Sequence, residues 1–346
     1  MKKLLLFFVT IFMVACNSEG SDEGFATVKI STITVNTTTF TFKAVITGDY
    51  ESLEWEFSDG VTVASETSVT KVFEEAGSYT VILTVSNGSG ATVSATETVT
   101  VAEQPAQKVY TLVWSDEFDG DALNTTDNWT YETGYIANNE LQNYQRSSNL
   151  SVSDGVMTIT AEKVNDDKVY GSYTSSRINT YGKQSFTYGR IEARMRLPLG
   201  TGVWPAFWML GNTINTGDGW PLCGEIDIME YVGYDPHTIH ANLHTYDYNG
   251  GNGKGGSITV EDESDWHVYG MTWTSEGIEF YLDDAENVYY SYRTTTTEFT
   301  SWPFVQPFFI VLNLAIGGDW GGVMGVDNTI FPVQMDVDYV RVYQLQ

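Results

Sequence analysis

Basic residues are scarce in this chain. Lys and Arg number 17 against 45 Asp and Glu, for a net charge of −28 at pH 7. That balance argues against nucleic acid as a partner, because phosphate backbones are gripped by Lys and Arg. It also disfavours strongly anionic polymers, and uncharged partners fit best. Cysteine is nearly absent, with Cys16 and Cys223 the only two. If Cys16 is consumed at the N-terminus, no intrachain disulfide can form. Cys223 beside Glu225 then reads as a small buried hydrophobe in preference to a nucleophile. No apolar run is long enough to cross a membrane as a helix, and no helical periodicity of useful length follows the first 15 residues. Such a chain of 346 residues, 42% of them apolar, has room for two or three domains built from strands.

What is present begins with a targeting segment. Lys2-Lys3 give a positive start, Leu4 to Val14 an apolar stretch, and Val14-Ala15-Cys16 a small-residue ending. The ending resembles a bacterial lipobox, which implies removal of residues 1–15 and lipidation of Cys16. An ordinary signal peptide cut nearby is the alternative. The tether over 16–26 is polar, and its acids are similar to surface-export signals of bacterial lipoproteins. The expectation is an exported protein, lipid-anchored to the bacterial outer membrane and facing outward, with the anchor as its one membrane contact.

Residues 27–103 hold short alternating runs rich in Val, Thr, Tyr and Phe. The runs over 28–35, 39–46 and 78–85 read as strands, at a spacing that suggests a small β-sandwich. Trp55-Glu56-Phe57-Ser58-Asp59-Gly60 and the alternating Gly77, Tyr79, Val81, Leu83, Val85 resemble a PKD domain. The resemblance implies an immunoglobulin-like spacer, with Trp55 in its core in preference to a ligand platform. A short Pro-containing linker over 104–108 follows.

From residue 109 to 346, Gly, Trp and Asn become frequent and strands still dominate. Ile191, Ala193, Met195 and Leu197 share one face, the run 308–316 reads as a buried strand, and 335–343 alternates again. The expected fold is all-β, a large antiparallel sandwich. Within it, Gly224-Glu225-Ile226-Asp227-Ile228-Met229-Glu230-Tyr231 concentrates three acids in a run of strand formers. Glu225 and Asp227 share a face by alternation. Glu230 comes one residue late and joins them only across a β-bulge. With the bulge, two glutamates flank an aspartate, and paired carboxyls facing one bond are what glycoside hydrolysis requires. Without it, the run is a solvated acidic edge strand. Trp204, Ala206 and Trp208 share a face in an extended reading, as do His240, Asn242 and His244. On a strand the two histidines stand too far apart to chelate one ion together.

Several motifs are together similar to glycoside hydrolase family 16. They are Trp114-Ser-Asp-Glu-Phe-Asp-Gly120, Asn139-Glu-Leu-Gln142, Ser175-Ser-Arg-Ile178, the run from Tyr188 to Gly211, the acidic strand, Asn313-Leu-Ala-Ile-Gly-Gly318 and Val337-Asp-Tyr-Val-Arg-Val-Tyr343. The resemblance implies a concave β-jelly-roll and retaining hydrolysis of β-linked glucans or galactans by a monomer, without a catalytic cofactor. It implies Glu225 as nucleophile, Glu230 as acid/base and Asp227 steering the proton between them. It places Trp204, Trp208 and Trp220 in the cleft and His244 near the reacting sugar. Asn139 and Arg177 would line its donor side, with a structural salt bridge the alternative for Arg177. A structural calcium ion is also implied, held by Glu117, Asp338 and the carbonyl of Gly155. The bulged spacing points away from the lichenase form but is shared with agarases and carrageenases, while the Trp204-Pro-Ala-Phe-Trp208 run and the Glu230-Tyr-Val-Gly233 ending look laminarinase-like, pointing to β-1,3-glucan and mixed-linkage glucan. An agarase- or porphyranase-like galactanase and a non-catalytic glycan-binding lipoprotein are the alternatives. The loop 248–256 reads as a lid or a mere connection.

Overall fold

The computed structural model describes residues 26–102 and 109–345. Cys16, its flanking segments and the linker 104–108 lie outside the described residues. The chain divides into two compact units, Met1–Gln107 and Lys108–Gln346.

In the first unit, a sheet of Thr27–Thr34, Thr39–Thr47 and Ser68–Val72 accompanies a second of Thr62–Ala64, Ser52–Phe57, Gly77–Ser86 and Thr92–Val101. Alternation explains the core. Leu53, Trp55 and Phe57 point one way from their strand, and Val81, Leu83 and Val85 do so from the next, to join Phe40, Phe42 and Phe73. Trp55 is fully buried and its indole N–H donates to the Glu66 carbonyl at 2.8 Å. A buried indole with its one donor satisfied is core.

The second unit is a continuous, mostly antiparallel sheet whose two halves pack over one core. One half runs in the order Gly256–Thr259, Thr238–His244, Glu225–Tyr231, Val203–Gly211, Phe308–Ile316, Tyr173–Asn179. The other runs Val156–Lys163, Val333–Leu345, Gly189–Arg196, His267–Trp273, Gly277–Leu282, Val288–Arg293. Between them lie Ile191, Ala193 and Met195 from the second half and Ile226, Ile228, Met229 and Tyr231 from the first. This is the large antiparallel sandwich that the strand pattern leads one to expect, in the jelly-roll form that the family resemblance implies. Among the described residues the only helical pieces are 3-10 turns at Ser147–Asn149, Asn212–Asn215 and Gly250–Asn252, and no helix is long and apolar enough to cross a membrane.

The unbroken apolar run Phe308–Ile316 has a physical reason. Its even-numbered residues enter the main core, while Phe309 and Val311 join Leu210 and Cys223 in a small apolar cluster against Trp208 and Tyr181. Both faces are covered, so alternation disappears. The segment after Thr238–His244 is no free flap. Lys254 and Leu243 exchange both backbone hydrogen bonds at 3.0 Å, which ties the loop 248–256 to the sheet.

Glu225 is set in place by the glycine before it. Gly224 has φ +79°, and a Cβ there would lie 2.7 Å from Cγ of Pro303 and 3.0 Å from the Phe308 ring. Gly224→Ala should therefore cost about 2–4 kcal/mol through left-handed strain and overpacking. Thermal or urea unfolding of the variant checks this, and an unchanged midpoint would show that the turn relaxes freely.

Candidate active site

Glu225–Tyr231 is an internal strand, hydrogen-bonded to Val203–Gly211 on one side and Thr238–His244 on the other. The acidic edge-strand reading is thereby overturned. Opposite it, Asp227 pairs with Asn242 and Glu230 with His240, so Ile228 and Met229 together face the single residue Ala241. The partner on the other side skips at the same place, between Phe207 opposite Met229 and Trp208 opposite Asp227. Two residues against one is a β-bulge. Ile228 and Met229 both turn into the core, and Glu225, Asp227 and Glu230 all emerge on the concave face.

The three acids differ in exposure. Asp227 is 4% exposed, while the two glutamates are only partly buried. Burial pushes all three carboxyls up to about 8, and the Asp227 charge adds to the rise at Glu225 and Glu230. The protons held near neutrality belong to the trio. Opposing the rise are His244 and Arg177 at Glu225, and the Trp204 indole and His244 at Glu230. The indole N–H of Trp204 donates to Oε1 of Glu230 at 3.0 Å. Nε2 of His244 stands 3.1 Å from Oδ2 of Asp227 and 3.8 Å from Oε1 of Glu225. The closer contact lacks hydrogen-bond alignment, and that Asp227 oxygen has no other partner.

The tryptophans take three different positions. Trp220 is 49% exposed with its ring 6.3 Å from that of His244, an open platform beside Glu225. Trp204 and Trp208 are partly buried and line the floor. Trp208 donates to Oδ1 of Asn313 at 2.7 Å, and the Arg177 guanidinium covers its ring at 4.8 Å. Arg177 is itself paired with Glu132, so the structural salt bridge is present, and the same guanidinium lies over Trp208. Asn139, exposed at φ 51°, donates to Asp319 at 2.8 Å. His240, four residues along the strand from His244, meets Asp235 and Trp320 instead. Cys223 is fully buried and its thiol is pushed up to about 12 by burial and the neighbouring Glu225, which removes it as a nucleophile.

Residues 137–341 match the family described as Glycosyl hydrolases family 16, and residues 25–102 match the PKD domain. This chain belongs to glycoside hydrolase family 16. The chain is 46% identical over 246 residues to a Beta-glucanase of Rhodothermus marinus, spanning 67% of this chain and 85% of that protein. A solved laminarinase from Rhodothermus marinus superposes with a TM-score of 0.64 at 44% identity, over 69% of this chain and 99% of that one. A Glucan endo-1,3-beta-glucosidase A1 of Niallia circulans is 36% identical over 70% of this chain, which spans only 39% of that longer protein.

The structure adds residues that the motifs did not single out. Trp320 packs edge-on against Trp204 at 5.6 Å and against His240 at 5.0 Å, while Asp319 holds Asn139. Both sit in the turn 317–322, where Gly317 and Gly318 have positive φ. The run Gly317-Gly-Asp-Trp-Gly-Gly322 was the available signal. Beneath, Glu140 is buried and accepts hydrogen bonds from Gln142 at 2.6 Å, Tyr144 at 3.2 Å and Asn138 at 3.3 Å.

The implied calcium set does not fit as it stands. Glu117 is engaged bidentately by Arg341 at 2.9 and 2.8 Å, and Asp338 by Arg194 at 2.6 Å. Gly155 sits in a turn at φ +76°. Calcium prefers a cage of free oxygens, whereas each carboxylate here already faces a guanidinium.

The electrostatics of the trio give a signed expectation. An ionised Asp227 raises the proton affinity of both glutamates, so Asp227→Asn should lower it. The alkaline limb of kcat/KM, where the acid loses its proton, should move to lower pH in the residual activity of this variant. A limb that stays put or moves upward would show that Asp227 does not set the glutamates' protonation.

Proposed function

We propose that the protein is a retaining endo-acting hydrolase of β-1,3-glucan that also accepts mixed-linkage β-1,3-1,4-glucan. The observation that carries the reading is the bulge at Ile228 and Met229, which turns Glu225 and Glu230 to one face of a tryptophan-lined sheet. Its likeness to a laminarinase and two β-glucanases supports the choice of sugar. The low number of basic residues suits a neutral polymer better than a sulfated one.

In this reading Glu225, faced by His244 and Arg177, is the carboxylate kept ionised. It attacks the anomeric carbon as the bond to the leaving sugar breaks, and Glu230 delivers its proton to the departing oxygen. Glu230, now ionised, takes a proton from water, which attacks the same carbon and frees Glu225 with net retention. The Trp204 N–H stabilises Glu230 while it is charged. Asp227, buried between the two glutamates, steers the shared proton by raising the proton affinity of both. Trp220, Trp208 and Trp204 offer faces and edges for sugar rings.

We further infer export and lipidation at Cys16, supported by the Lys2-Lys3 start, the apolar stretch and the Ala15-Cys16 junction. The PKD unit then serves as a spacer between anchor and enzyme. Cys16→Ala should shift the protein from the membrane fraction to the soluble one and abolish labelling by a fatty-acid probe. Labelling that persists would place the anchor elsewhere.

The sugar assignment is tested by a product profile on laminarin, lichenan, agarose and porphyran. Reducing ends should appear from the first two alone, and release from agarose or porphyran would favour a galactanase. Glu225→Gln should lower turnover by about 1000-fold or more while laminarin binding persists. Full turnover in that variant would remove Glu225 as nucleophile.

A further inference from the structure

The concave face leaves one electrostatic problem unsolved by its own side chains. Asp227 and His244 are 4% and 8% exposed, and Oδ2 of Asp227, which faces Nε2 of His244 at 3.1 Å, has no hydrogen-bond partner. Glu225 stands next to both. One donor atom from each of Glu225, Asp227 and His244 lies within 4.8 Å of the other two. A buried carboxylate without a partner is costly, and a nearby cation removes the cost.

We propose that Glu225, Asp227 and His244 form a latent site for a borderline divalent metal such as Zn2+, whose occupancy blocks catalysis. Tetrahedral zinc binds imidazole nitrogen and carboxylate oxygen at bond lengths that put neighbouring donor atoms about 3.4 Å apart. The separations from Nε2 of His244, 3.1 Å to Asp227 and 3.8 Å to Glu225, straddle that value. Small side-chain adjustments close the set. Two carboxylates and a neutral imidazole balance the charge of the ion. The fourth position opens toward the cleft, where water completes the coordination. The nitrogen donor and the low ligand count favour zinc over calcium or magnesium, which prefer more oxygens. His240 takes no part, because its ring lies against Trp320 and its Nε2 is 3.6 Å from Asp235.

Metal binding depends only on this geometry, whereas the loss of activity rests on Glu225 being the nucleophile. Zinc would occupy the oxygen that must attack the anomeric carbon and the aspartate that steers the proton. The two claims can therefore fail separately.

The test is calorimetric titration of the full chain with ZnCl2, alongside a laminarin assay. The expected result is one saturable site, competitive inhibition of laminarin cleavage, and recovery on adding EDTA. His244→Asn should weaken the site by at least about tenfold, since even a residue behind a metal ligand is worth that much. Glu225→Gln, nearly isosteric, should weaken it as well and decides the matter if His244→Asn fails to fold. His240→Gln should bind zinc as the parent does. Absence of a saturable site, or equal affinity in folded His244→Asn or Glu225→Gln, overturns the proposal. Zinc binding without laminarin cleavage would instead refute the sugar assignment and leave the metal site standing.

Discussion

One extra residue in one strand governs this molecule. Strict alternation would send Glu230 into the core, where an ionised carboxyl costs far more than the fold can supply. Letting Ile228 and Met229 both face inward reverses that, and the core absorbs the second side chain in place of the acid. The result is three carboxyls crowded onto one concave face, where burial raises the proton affinity of all three and the Asp227 charge adds to the rise at both glutamates. Catalysis by a proton donor and an ionised nucleophile in the same cluster is a direct consequence of that crowding. The surroundings are arranged to hold it. Gly224 fixes where the strand enters, Trp204 caps Glu230, His244 approaches from the neighbouring strand, and the Glu132–Arg177 pair braces Trp208 beside Asp227.

Crowding also works against stability. Carboxyls whose proton affinity is raised by folding make the native state more favourable at acid pH and less so as pH climbs toward about 8. The enzyme carries this burden at the site where it is useful, and the large aromatic and aliphatic core of the sandwich offsets it. The same unbalanced negative charge makes the site receptive to a cation. The chain's acidic balance has a gentler role on the surface, where arginines are spent on local pairs: Arg341 with Glu117, Arg194 with Asp338, Arg196 with Asp336.

Much of this was legible in the residues. The all-β architecture follows from two-residue alternation, and the late position of Glu230 in its strand points to the bulge. Arg177 could not be settled from its motif, because whether an arginine meets substrate or a carboxylate depends on Glu132, which lies 45 residues away. Glu117 and Asp338 show the same limit: residue type announces an oxygen donor but not the arginine bonded to it. Trp320 and Asp319 were hidden in a glycine-rich turn, whose path over His240 is set by positive φ angles and long-range packing. The proximity of His244 to Asp227 is likewise a matter of strand register, and alternation alone fixes only the face.

The central claim is that Glu225 forms the covalent bond to sugar while Glu230 manages the proton. A 2-deoxy-2-fluoro β-1,3-glucosyl compound with an activated leaving group should trap the glycosyl-enzyme, because the fluorine slows its hydrolysis more than its formation. Digestion and mass spectrometry should then find one adduct, on the peptide segment that includes Glu225, with fragmentation placing it on that side chain. An adduct on Glu230 or Asp227, or none in protein that still cleaves laminarin, would contradict the account.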